Sequence, residues 1–130
     1  MLEDKEISGV NTAKMSADCL LELIESSLTE DKATDIVSIS LREKTTLTDY
    51  MVIATGRSQR HVIAIAEHLL ECLKQNGQGP LGVEGLRHGD WVLIDSGDVI
   101  VHVFRQEVRE FYNLEKMWSL DLPVSENIPS

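Results

Sequence analysis

A chain of 130 residues with 42% hydrophobic side chains can bury one core without disulfides or metals, so it reads as one folded domain. Its formal charge of -10 excludes bulk attraction to nucleic-acid phosphate or anionic lipid and favours a basic partner. Cys19 and Cys72 stand in no metal-type spacing, the start MLEDKEISG is not a signal sequence, and no apolar run approaches the ~18 residues of a membrane span. Together these features point to a soluble, cytoplasmic protein with no membrane association.

Residues 1–14 are polar with little periodicity and read as a flexible leader, ahead of a single α/β domain at 15–119. From Ser16 onward, Ala17, Leu20, Leu21, Ile24 and Leu28 recur at helical spacing, which predicts an amphipathic helix with Glu22 and Glu25 outward. Thr34 to Leu41 alternates Val37, Ile39 and Leu41 with Ser38 and Ser40, the pattern of a strand with one wet face or of an edge. Asp49 to Thr55 is a continuous apolar run that stops at Gly56, a strand buried on both sides. Gly56-Arg57-Ser58 then makes a strand-to-helix corner. Ser58 is the expected N-cap, Val62, Ile65, Ala66, Leu69, Leu70 and Leu73 form the stripe of a second helix, and Asn76-Gly77 ends it. Leu81 to Glu84 is a short third strand. Strand, helix and strand around 50–84 predict a right-handed crossover with parallel pairing.

Trp91 to Ser96 and Val99 to Phe104 flank Gly97-Asp98, the two-residue turn of a tight antiparallel hairpin. The register follows from the turn: Asp95 opposite Ile100, Ile94 opposite Val101, Leu93 opposite His102, Val92 opposite Val103, Trp91 opposite Phe104. One face, Val92, Ile94, Val101 and Val103, is wholly aliphatic and belongs to the core. The other mixes Trp91, Leu93, Asp95, Ile100, His102 and Phe104, a combination that an ordinary buried face does not choose. A helix from Gln106 to Trp118 follows, with Val108, Phe111, Tyr112, Leu114 and Trp118 along one side. The tail at 120–130, with two prolines and no packing stripe, reads as disordered. The predicted architecture is α/β, a mixed sheet of about five strands with helices packed on it.

Each candidate site has a structural counterpart. Gly56 to Ser58 at a helix start could bind phosphate, but it lacks the further glycines and the Lys of a nucleotide loop and reads first as a capped corner. Asp95 and Asp98, with Glu84 from the neighbouring strand, could hold magnesium, although an Asp after Gly serves turn geometry. His102 is diagonal to Asp95 and within reach of a hydrogen bond, with no nucleophile to complete a triad. His61 and His68 are seven residues apart, too far for joint ligation, and read as a solvated or partner-facing edge. Aromatic side chains that stack on nucleic-acid bases sit in basic grooves, so direct nucleic-acid recognition is rejected. With no catalytic residue, metal or cofactor assigned, the residues describe a binding module.

The segments DYMVIATGRSQRH, VEG at 83–85, WVLIDSGDVIVHVF and REFYNLEKMWS, in that order, resemble the Iojap family, also called the ribosomal silencing factor family. The resemblance spans Ser16 to Ser119. It implies a nucleotidyltransferase-like fold without catalysis, often a homodimer. It also implies binding to large ribosomal subunit protein fourteen on the large ribosomal subunit, which blocks small-subunit docking and represses translation when nutrients run short. On that resemblance the contact residues are Trp91, Asp95, Ser96, Asp98 and His102, with Glu84, Arg109 and Tyr112 behind them. Ser96 departs from the family pattern, where an apolar or aromatic residue is common. The alternative is a magnesium-dependent nucleotidyltransferase-like enzyme that uses Asp95, Asp98 and Glu84 on the metal and Gly56 to Ser58 on phosphate.

Overall fold

The structure, a computed structural model, describes residues 15–112, and of Phe111 and Tyr112 the backbone alone. Residues 1–14, residues 120–130 and the stretch with Leu114 and Trp118, for which a leader, a tail and the rest of the last helix are expected, lie outside the described residues. Within them run α1 (Ala17–Glu30), β1 (Thr34–Ser40), β2 (Tyr50–Gly56), α2 (Gln59–Gln75), β3 (Gly82–Glu84), β4 (Trp91–Asp95), β5 (Val99–Arg105) and α3 (Gln106–Tyr112). This is the element order that hydrophobic periodicity predicts.

The strands form one mixed sheet in the order β1-β2-β5-β4-β3. The hairpin has the register imposed by its two-residue turn, from Trp91↔Phe104 to Asp95↔Ile100. The crossover differs from expectation. β3 runs in the same direction as β2 but is not its neighbour; it pairs antiparallel with β4 at the far edge. The parallel partner of β2 is β5, from Tyr50↔Val99 to Gly56↔Arg105. The reason is burial: β2 and β5 are apolar on both faces and profit most from the centre, whereas three-residue β3 exposes little backbone as an edge.

α1 and α2 cover one face of the sheet. Leu20, Ile24 and Leu28 meet Val62, Ile65, Leu69 and Leu73, and both stripes rest on Val52, Ala54, Val92, Ile94, Val101 and Val103. A fully buried Leu or Ile contributes about 1.5–3 kcal/mol, so this layer dominates stability. The helices begin and end where their caps dictate. The Ser16 and Ser58 hydroxyls accept from the N–H groups of Cys19 (3.2 Å) and His61 (3.0 Å). Both C-termini close with the same paired bonds: Ala33 N–H to Leu28 C=O (3.0 Å) with Lys32 to Thr29 (3.0 Å), and Gln78 to Leu73 (2.7 Å) with Gly77 to Lys74 (3.1 Å). In α1 the left-handed position is held by Lys32, at φ +63°.

The opposite face has its own smaller core of Ile39, Leu41, Met51, Ile53 and Phe104, onto which Val37, Trp91 and Val108 pack. One end of the mixed hairpin face is therefore buried. Phe104 is 1% and His102 5% exposed, so these two are interior residues of a second layer that the hairpin pattern does not reveal.

Candidate functional site

Across this second face the character of the side chains changes with strand position. Toward β1 and β2 it is aliphatic and closed. Toward β4 and β3 it opens: Trp91, Leu93, Asp95 and Ile100 are half-buried and Glu84 is exposed. Register places Glu84 opposite Leu93 and Gly82 opposite Asp95, so Glu84 and Asp95 border the same apolar strip.

Trp91 anchors the strip. Its ring lies 4.9 Å from that of Phe104 at 41° and 5.8 Å from that of His102 at 42°. Its indole Nε1 donates to His102 Nδ1 at 2.9 Å. His102 stacks on Phe104 at 5.8 Å and 5°. Burial drives the His102 pKa down from 6.5 to about 4, leaving a neutral ring whose bare Nδ1 is the acceptor. The predicted His102–Asp95 pair is not what forms: Asp95 Oδ1 accepts instead from the Gly97 N–H at 2.9 Å, which ties the carboxylate to its own turn.

The turn is also the corner of the sheet. The Asp98 carbonyl accepts from Asp49 N–H (2.8 Å) and Tyr50 N–H (3.0 Å), which joins the hairpin tip to the start of β2. The Ser96 hydroxyl is covered and takes no hydrogen bond among the described residues. Sequence reasoning missed two flanking apolar groups: Leu81 at 77% exposure, which lies against Gly97, and Leu47 at 87%, two residues before Asp49. For Leu47 the signal was present, a lone leucine among threonines, whereas Leu81 reads as the first residue of the third strand.

Arg109 projects from α3 into the fold. It is 9% exposed, and Nη1 donates to the Asp35 carbonyl (2.5 Å) and to Thr55 Oγ1 (2.6 Å), pinning α3 across β1 and β2. Tyr112 ends α3, and its side chain lies outside the described residues.

Elsewhere the candidate chemistry resolves into structure. At the Gly56 corner, Arg57 N–H donates to His61 Nδ1 (3.1 Å) and His61 N–H to Ser58 Oγ, so both donors are already used. A Cβ on Gly56 would stand 2.7 Å from Val62 Cγ2, so close helix–strand packing accounts for the glycine. His61 and His68 both grip the end of α1, His61 half-buried and His68 on the solvated edge that the spacing predicts. His61 Nε2 meets the Asp31 carbonyl at 2.8 Å, and His68 Nδ1 meets Asp31 Oδ1 at 2.7 Å, a bond that raises the His68 pKa. Asp90 receives Gln59 Nε2 (2.9 Å) and Arg105 Nε (2.8 Å), and the two bonds hold its carboxyl below the usual range. Among the described residues no three His, Cys, Asp or Glu side chains, Asp95, Asp98 and Glu84 among them, converge in a way that could hold a metal ion. Nor is any helix among them long and apolar enough to cross a membrane.

Residues 14–129 match the family model described as "Ribosomal silencing factor during starvation". The chain is 45% identical over 124 residues to ribosomal silencing factor RsfS of Zymomonas mobilis, covering 92% of this chain and 93% of that protein. It is 34% identical over 103 residues to mouse "Mitochondrial assembly of ribosomal large subunit protein 1", covering 77% of this chain and 45% of that one. The crystal structure of a Chromobacterium violaceum protein superposes with a TM-score of 0.79 at 37% identity, over 84% of this chain and 91% of that one. In sequence and in fold, the chain belongs to the ribosomal silencing factor family.

Proposed function

We propose that this protein binds large ribosomal subunit protein fourteen through the open part of its second sheet face and thereby blocks association of the small and large subunits. Translation is repressed in this way under nutrient limitation. The observation that carries the proposal is the strip of Trp91, Leu93 and Ile100, half-buried and bordered by Asp95 and Glu84, on a chain of charge -10. Half-buried aromatic and aliphatic groups supply contact area, and the acidic border steers a basic ribosomal protein. The Asp98 and Ser96 backbone shapes the turn end of that surface, while the interior residues His102 and Arg109 support it from within.

Steric blocking needs no bond-making step, so the proposed role calls for no catalysis, metal or cofactor; the family resemblance adds a cytoplasmic location and a homodimer to the proposal. Support for a ribosomal target comes from the family description, and support for the large subunit from the mouse relative, whose name contains it. The magnesium-enzyme alternative gains nothing from the geometry, because its three carboxylates do not converge among the described residues.

The test is titration of the protein into purified large subunits, followed by sedimentation after small subunits are added at fixed magnesium and salt. Subunit joining is expected to fall as binding saturates near one copy per large subunit. A protein that neither sediments with large subunits nor slows joining refutes the proposal.

A further inference from the structure

His102 lies where the closed part of the second face meets the open strip. At 5% exposure it offers a partner almost no surface, yet its Nδ1 holds the Trp91 indole at 2.9 Å while Phe104 stacks beneath its ring. Trp91 is half-buried and one strand nearer the open edge. A half-exposed indole that is free to change rotamer has to be ordered when it binds, and one held beforehand does not.

We infer that His102 is a positioning residue: by accepting the Trp91 indole N–H while braced against Phe104, it fixes the tilt of that ring on the partner-facing strip. The inference rests on the proposed ribosomal contact and goes beyond it by separating the residue that touches from the residue that orients. The neutral ring required for this role is the form that burial favours.

Three variants test it. His102→Leu removes the acceptor at similar size, His102→Asn retains an acceptor near the Nδ1 position, and Trp91→Phe removes the donor. Indole N–H resonances in nitrogen-correlated spectra are recorded alongside cosedimentation with large subunits, the Trp91 resonance being assigned by its loss in Trp91→Phe. His102→Leu is expected to move the Trp91 resonance toward that of a water-exposed indole and weaken binding roughly five- to tenfold. His102→Asn recovers part of both effects. In the Trp91→Phe background, His102→Leu adds less than about a twofold change, because the bond is already gone. Should His102→Leu fail to fold, His102→Phe, which keeps a ring against Phe104 but offers no acceptor, must give the same resonance shift and the loss of roughly five- to tenfold.

A folded His102→Leu with an unmoved resonance and parental affinity overturns the inference, as does an equal loss in the Trp91→Phe background. A parent chain that does not sediment with large subunits overturns the proposed function and this role together. A binding parent with an indifferent His102→Leu overturns this role alone.

Discussion

The Trp91 carbonyl occupies the space into which any side chain on Gly85 would grow. A Cβ at Gly85 overlaps the Trp91 oxygen and lies 3.2 Å from its carbonyl carbon. Gly85 itself sits at φ +82°, in the left-handed region. The glycine of the VEG segment thus lets the chain leave β3 and pass close under the first residue of β4, the residue that carries the aromatic anchor.

Gly85→Ala combines a disfavoured φ with a backbone clash, so it is expected to cost ~2 kcal/mol or more in stability. It should also weaken large-subunit binding, because the residue displaced is Trp91. Denaturant unfolding checks the first effect and cosedimentation the second; an unchanged midpoint would show that the β3–β4 corner yields without cost.

His102 makes stability depend on pH. Above about pH 6.5 its ring is neutral in both folded and unfolded chains, and its contribution is fully present. As pH falls from 6.5 toward the folded value of about 4, only the unfolded chain takes up the proton, so stability drops by ~3 kcal/mol over that window. His68 has the opposite sign, since Asp31 raises its pKa: its contribution is present below about 6.5 and lost as pH rises through the folded value. It is exposed and therefore weak. Unfolding curves of the parent and of His102→Leu across pH 4–7 separate the two. A parent and a variant with the same slope would contradict this assignment.

Lys32 holds the left-handed position after α1 that Gly77 holds after α2, at φ +63° against +72°. Lys32→Gly removes the Cβ strain while keeping the capping bonds, and it is expected to raise stability by ~0.5–1 kcal/mol. A small rise in melting temperature, without change in ribosome binding, is the predicted result.

Trp91→Ala strips the strip of its anchor and is expected to weaken large-subunit binding by ~2 kcal/mol, about thirtyfold. A variant that melts cooperatively and binds as the parent does would remove Trp91 from the contact. Because Trp91 also packs on Phe104, the fold of the variant has to be checked by circular dichroism in the same experiment.

Much of this molecule is legible in the sequence because the relevant forces are local. A two-residue turn leaves the hairpin one register, from Asp95↔Ile100 to Trp91↔Phe104. Ser58 ahead of an apolar stripe marks the start of α2, and Asn76-Gly77 marks its end. The same periodicities identify Val92, Ile94, Val101 and Val103 as core, and the mixed composition of the other face marks it as unusual.

What the sequence by itself determined, then, is the set of elements, the caps of α2, the hairpin register and the identity of one buried face, each decided by neighbours within a few residues. Only the tertiary structure decided which strand lies beside β2, that His102 takes Trp91 rather than Asp95 as its partner, that His61 and His68 meet at Asp31, and that Arg109 turns inward to Thr55. Those choices join residues 11 to 54 positions apart. They are settled by competition among all the surfaces that must be buried and all the polar groups that must be satisfied, and no local pattern records that competition.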